Sequence, residues 1–220
     1  MGFYRGPNIV TDGLVLHLDA ANTKSYPGLG TTWLDKSGYG NNGTLTNGPT
    51  FSSTNGGSIV FDGTNDYVIC GDIINYTNSF TVNSWINVNS SLNPIISKWS
   101  GTFVASRFFL FRTNSNVLQF FDSNTTLFTG GTVPSNVWTQ VGFVINGSSS
   151  QLYINGIPSG NSFTPTMTVR TGVNLGLGCY SNPFDTFLTG KIAYTQAYNR
   201  VLSAQEILQN YNATKSRFNL

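Results

Sequence analysis

Gly57-Ser58-Ile59-Val60-Phe61-Asp62-Gly63-Thr64-Asn65-Asp66-Tyr67-Val68 carries one apolar run into an acidic turn, and a second run, Tyr67-Val68-Ile69-Cys70, leaves it. Ile59, Val60 and Phe61 favour an extended, half-buried backbone. Asp62-Gly63 and Asn65-Asp66 supply the positive φ and the side-chain hydrogen bonds of a tight reversal. The pattern predicts a β-hairpin, and with it an all-β chain. The same loop gathers the carboxylates of Asp62 and Asp66 and the amide oxygen of Asn65, the donor type that a hard cation such as calcium takes. The competing reading is that these side chains only close Asx-type turns.

Outward from this stretch the chain repeats the same grammar. Upstream, Leu14-Val15-Leu16-His17-Leu18-Asp19 alternates as a strand, with Leu14, Leu16 and Leu18 on one face. The single histidine, His17, falls on the opposite face, where a hydrogen-bonded structural role is expected. Residues 20–50 are dense in Gly and Asn and read as ordered loops around one short strand, anchored by Trp33. Downstream, Phe80-Thr81-Val82-Asn83-Ser84-Trp85-Ile86-Asn87-Val88 puts Phe80, Val82, Ile86 and Val88 on one face. Thr81, Asn83, Trp85 and Asn87 form a polar second face, open to water or to a ligand.

Further strands are predicted at Ile95–Lys98, Phe108–Phe111, Val117–Phe121, Trp138–Ile145, Gln151–Ile154, Val173–Gly176 and Ile192–Tyr198, separated by Asn, Ser and Gly turns. Many short strands with polar turns make an antiparallel sandwich or barrel. One helix closes the chain: Ser203-Ala204-Gln205-Glu206 has capping-box spacing, and Ile207, Leu208 and Tyr211 form its apolar stripe. Lys215 and Arg217 follow it, where the helix dipole favours positive charge.

Composition narrows the function classes. Only 9% of residues are charged, against roughly 25% in an average soluble domain, so the surface must be Asn, Ser, Thr and Gly. The formal charge of +2 is small and scattered, which argues against nucleic acid. No apolar stretch approaches the roughly 20 residues of a membrane helix, and Met1–Arg5 does not begin a signal peptide; the expectation is a soluble protein made in a cytoplasm, without membrane insertion. Cys70 and Cys179 read as two buried free thiols or as one disulfide. Glycosidase chemistry needs two flanking carboxyl groups. The single glutamate, Glu206, belongs to the helix cap, and no two of the eight aspartates share a predicted strand. No nucleophile elbow accompanies His17, and no His/Cys spacing suits zinc.

Several segments, taken in order, resemble laminin-G-like jelly rolls of the concanavalin-A-like lectin/glucanase superfamily. They are Asp35-Lys36-Ser37-Gly38-Tyr39-Gly40-Asn41-Asn42-Gly43-Thr44-Leu45, Phe61–Val68, Phe80–Trp85, Trp138–Val141, Leu152–Gly156, and Gly190-Lys191-Ile192-Ala193 through Ile207. The resemblance spans roughly residues 12–212. It implies a sandwich of two curved antiparallel sheets with one short C-terminal helix, binding glycans or proteins at loops or on the concave face, often with rim calcium. In many members an acidic residue stands where this chain has Ala193, so the resemblance implies the loss of one calcium partner. Gly6–Val15 and Gln209–Phe218 are further similar to laminin-G-like proteins of marine tailed phages, cyanophages above all.

These readings organise the chain as an extended segment over 1–12, a jelly roll over 13–212 and a tail over 213–220, the two ends being candidate attachment segments. The expected function is a non-enzymatic module on the virion surface, a decoration, fibre or adhesion subunit. Its expected partners are other virion proteins, host-surface glycans and further copies of itself. A stand-alone lectin is the alternative, and a glycoside hydrolase a distant third. The expected site is Asp62, Asn65 and Asp66 for calcium; Trp85, Trp99, Tyr180 and Tyr39 are aromatics that could stack on sugars, but a core position is the favoured reading of each and no ligand-binding residue is named.

Overall fold

The computed structural model describes residues 7–99, 107–180 and 185–220. In chain order its strands are β1 (Leu14–Asp19), β2 (Thr32–Trp33), β3 (Gly43–Thr46), β4 (Thr50–Ser52), β5 (Ser58–Asp62), β6 (Tyr67–Ile69), β7 (Ser79–Val88) and β8 (Asn93–Trp99). Then follow β9 (Arg107–Asn114), β10 (Val117–Phe121), β11 (Leu127–Thr132), β12 (Thr139–Asn146), β13 (Ser150–Ile154), β14 (Ile157–Phe163), β15 (Gly176–Leu177) and β16 (Thr189–Tyr198). Helix α1 (Ala204–Thr214) runs into a 3-10 turn over Lys215–Phe218.

The strands form two antiparallel sheets. The first has the order β14-β13-β12-β7-β16-β5-β4, with β1 pairing the second half of β16; the second has the order β11-β10-β9-β8-β15-β6-β3-β2. Alternation on β7 works as expected: Phe80, Val82, Ile86 and Val88 enter the core between the sheets. There Phe143 of β12 meets Phe80, Phe111 and Phe120 with ring centroids 4.9–5.7 Å apart. Aromatic rings supply much of the apolar area that joins the layers.

The stretch 57–68 is not a hairpin. β5 pairs with β4 and β16 in the first sheet, whereas β6 pairs with β3 and β15 in the second. The turn therefore arches across the roughly 10 Å between packed sheets. Turn chemistry specifies a reversal but not the partner of each arm, and both arms bury apolar residues in one core: Ile59 and Phe61 from one side, Val68 from the other. A second departure lies in β1. Register shifts between Leu14 and Leu16, and this irregularity places Val15, not Leu14, with Leu16 and Leu18 in the central core. The predicted strand at Val173–Gly176 is only the two-residue β15, and residues 32–52 hold three short strands, not one.

The outer face of the first sheet, read from sequence as open to water or ligand, is covered by the chain's own ends. Ser203 and Glu206 form the expected capping box and start α1 over this face. Trp85 is fully buried between Tyr211 and Phe218, whose rings lie 5.7 and 4.2 Å away, and its Nε1 donates to Thr214 Oγ1 at 2.8 Å. Phe218 also packs on Trp138 at 4.7 Å. Arg217 pins the turn, donating to Asp19 Oδ1 and the Asn55 carbonyl, both at 2.7 Å, and to the Gly57 carbonyl. At the other end of the helix, Val10 N donates to Asn210 Oδ1 and Tyr198 OH donates to the Val10 carbonyl. Val10 and Phe218, one from each flanking segment, are both buried, and residues 1–6 of the expected N-terminal segment lie outside the described residues.

Ala193 lies in this same layer, buried with Trp85, Tyr194 and Phe218. It stands four residues along β16 from Thr189, the partner of Asp62, or ~13 Å at strand rise. An acidic side chain there would meet aromatic rings and not the 62–66 loop, so the alanine removes no ligand from that loop. Cys70 and Cys179 are buried free thiols; burial pushes Cys70 up to about 12 and Cys179 higher still. His17 packs edge-on against Tyr194 with centroids 5.2 Å apart, and its pKa is lowered by burial; its Nε2 is buried without a hydrogen-bond partner, so it is held by packing and not by the hydrogen bond expected of that nitrogen.

Truncation of Phe218 to alanine removes the ring that fills the space between Trp85 and Trp138. It is expected to cost about 3 kcal/mol of unfolding free energy, measured by denaturant titration, and a loss below about 0.5 kcal/mol would mean the tail does not hold the sheet.

Candidate functional site

With the first sheet covered, the second sheet supplies the face on which the described residues gather polar and aromatic groups. β9 and β10 are joined by Ser115-Asn116, both at positive φ (51° and 65°), the two-residue turn that matches strand twist. That turn locks the register and sets Arg112 directly opposite Gln119. Alternation then sends Leu118 and Phe120 into the core and Gln119 and Phe121 to the outer face, both half-buried. Arg112 Nε donates to Gln119 Oε1 at 2.8 Å, its Nη1 donates to Tyr180 OH, and its guanidinium lies 4.5 Å from the Phe121 ring centroid. Burial pushes the Tyr180 hydroxyl up, against the pull of Arg112, so Tyr180 stays a neutral phenol.

Chemically this is a planar cation over one aromatic ring and hydrogen-bonded to the hydroxyl of another, with an amide beside it. Such a surface offers ring faces to the C–H side of a sugar and N–H donors to its hydroxyl or acidic groups. Sequence reasoning singled out Tyr180 but missed Arg112, Gln119 and Phe121. The signal was present in Asn114-Ser115-Asn116, because a two-residue turn at that point already implies the Arg112–Gln119 pair.

The other expected aromatics do not join them. Trp85 is sealed beneath the helix and cannot stack on a ligand, and Trp99 is 8% exposed. Tyr39 is 65% exposed, but on a separate loop.

The residues expected to hold calcium are engaged in hydrogen bonds of the turn itself. Asp62 Oδ1 accepts from Thr64 N at 2.7 Å, and Asp66 Oδ2 accepts from Asp62 N at 3.1 Å. Asn65 contributes its backbone carbonyl, which accepts from Asn47 Nδ2 at 3.0 Å. Asp66 is buried, and burial raises its pKa. Both carboxylates thus close the turn, as the Asx reading has it, and a cation would share oxygens already engaged. Among the described residues no three His, Cys, Asp or Glu side chains group as metal ligands.

Carboxylate chemistry is equally committed elsewhere. Glu206 meets Arg200 at 2.6 Å and caps α1, and its hydrogen bonds from Arg200 hold its pKa down to about 2, outweighing burial. A carboxyl so acidic holds no proton to give at neutral pH. Asp35 is spent on the amides of His17, Ser37 and Asn41, and Asp122 on those of Asn124, Thr126 and Thr166.

Comparison with known proteins follows the geometry. A laminin-G-type family model, described as the concanavalin A-like lectin/glucanases superfamily, matches residues 62–208. Domain 4 of the extracellular arabinanase AbnA from Geobacillus stearothermophilus, solved with arabinotriose, is similar at TM-score 0.67 and 17% identity, over 90% of this chain and 98% of that one. A Trypanosoma rangeli sialidase mutant displaying trans-sialidase activity is similar at TM-score 0.72 and 14% identity, over 96% of this chain. The match covers 35% of the sialidase, so the chain corresponds to about a third of that protein. No curated protein sequence matches significantly. At these identities the solved structures share the fold.

Proposed function

The chain belongs to the concanavalin A-like lectin/glucanases superfamily, and from that premise we propose that it is a non-enzymatic module that binds glycans on the outer face of its second sheet. One observation carries the reading: Arg112 is held between Phe121, Gln119 and Tyr180 on a face that α1 leaves uncovered. The similarity to a domain of AbnA, which was solved with arabinotriose, supports a sugar ligand. The engaged state of Glu206, Asp35 and Asp122 supports binding without hydrolysis.

The setting we propose is the surface of a tailed-phage particle, where the module acts as a decoration, fibre or adhesion subunit beside other virion proteins and copies of itself. This rests on the resemblance of residues 6–15 and 209–218 to phage laminin-G-like proteins. Because Phe218 and Val10 are buried, attachment would use the exposed neighbours of these residues. Mass spectrometry of purified particles tests it: the chain among virion proteins supports the setting, and its absence favours a stand-alone lectin.

Calcium at Asp62, Asn65 and Asp66 is proposed as reinforcement of the arch and nothing more. A rise in melting temperature with calcium over chelator is the expected result; identical melting curves would count against it.

For the binding face, a glycan array on the purified chain is expected to show sugar-selective binding, with Phe121→Ala and Arg112→Ala each weakening it about tenfold. Silence across the array, or full binding by both variants, would remove the second sheet from consideration.

A further inference from the structure

A separate cleft of about 210 Å³ lies between the exposed ring of Tyr39 and the 72–76 loop, with Tyr76 in its lining. We propose that this cleft is a second sugar subsite, built for a single neutral pyranose ring; the inference rests on the glycan-binding reading above and adds a site and a selectivity to it.

One wall is an offered aromatic. Tyr39 is 65% exposed and sits between Gly38 and Gly40, both at positive φ (96° and 75°). Glycine on either side lets the loop turn sharply and hold the ring away from the body of the protein. Such a ring suits the C–H face of a sugar.

The opposite wall is preassembled from below. Lys98 of β8 has no exposed side-chain surface, yet its Nζ reaches Asp72 Oδ1 at 2.6 Å, the Ile73 carbonyl at 2.9 Å and Asn75 Oδ1. Asp72 Oδ2 takes a further hydrogen bond from Gly172 N at 2.6 Å. Within this tether Ile74 is buried at φ 60°, a left-handed conformation that a β-branched residue adopts only when its surroundings impose it. One wall of the cleft, the acceptors of the buried cation and the strained residue coincide in residues 72–76. That is the signature of a wall fixed in advance of a ligand, which lowers the entropy cost of binding.

Selectivity follows from the count of donors. An ammonium group has three N–H donors, and Lys98 spends them on three acceptors of the 72–76 loop, so it offers none to a ligand. Asp72 remains ionised: burial pushes its pKa up, but the hydrogen bonds from Lys98 and Gly172 bring the net shift below the ordinary carboxylate value. Because Asp72 lines the cleft and Lys98 does not, the ion pair turns its carboxylate end toward a ligand, and Asp72 Oδ2, with one hydrogen bond from Gly172, keeps a lone pair that suits a sugar hydroxyl and disfavours an acidic or sulfated sugar. This is the reverse of the Arg112 face.

Saturation-transfer NMR on the full chain would decide the matter, using methyl glycosides of galactose, glucose and mannose as neutral probes and galacturonate as the acidic one. Transfer to at least one neutral glycoside is expected and depends on Tyr39, whereas any transfer to galacturonate belongs to the Arg112 face and is lost with Arg112→Ala. Tyr39→Ala should weaken the neutral probe about tenfold, while Tyr39→Phe, which keeps the ring, should stay within about twofold. No transfer to any neutral glycoside, galacturonate transfer that persists in Arg112→Ala, or unchanged neutral-glycoside binding by Tyr39→Ala would overturn the proposal. If such a failure accompanies a positive glycan array, only the cleft falls; if the array is silent as well, the glycan-binding reading falls with it.

Discussion

The stack of Trp85 between Tyr211 and Phe218 decides which surface of this protein is available. A β-sandwich has two outer faces, and polar residues along β7 would have left the first sheet wet. Instead the chain returns after β16, caps a helix with Ser203 and Glu206, and lays aromatic rings on that face. Arg217 then ties the end of the turn to Asp19 of β1 and to the backbone at Asn55 and Gly57. Thr81, Asn83, Gln140 and Gln196 are buried as a consequence. The middle of the first sheet becomes an interior layer, while β14 at its edge and the Arg112 face of the second sheet stay uncovered by the helix.

That constraint orders the chemistry. Carboxylates in this charge-poor chain hold turns, caps and strand ends, and two of the cationic groups with aromatic company, Arg112 and Lys98, differ in kind. Arg112 lies half-buried on the open face with its planar group braced by Phe121 and Tyr180. Lys98 is fully buried and spends its donors on one loop. Arginine suits the first position because its fork can keep one partner and serve another, whereas a buried ammonium must find all its acceptors locally.

Local patterns carried much of the fold. The two faces of β7, the capping box and the burial of Trp33 follow from period, spacing and side-chain chemistry, and so does the Arg112–Gln119 pairing once the Ser115-Asn116 turn is recognised. What escaped was long-range. Asp62–Asp66 reverses the chain equally well in a hairpin or in an arch between sheets, and only the pairing of β5 with β16 and β6 with β15 separates them. Trp85 on a polar strand face reads as exposed until a helix more than a hundred residues later covers it. Lys98 in the apolar run Ile95-Ile96-Ser97-Lys98 was the one local anomaly that pointed to a tethered loop.

The central claim is that ligands meet the second sheet because the first is sealed by the chain's own C-terminus. Mapping backbone and side-chain NMR shifts on addition of a glycan selected from the array tests it most directly. The account predicts perturbations concentrated at Arg112, Gln119, Phe121 and Tyr180, with the Trp85 and Trp138 indole signals unmoved. Perturbation centred on those two indoles, with the Arg112 face silent, would contradict it.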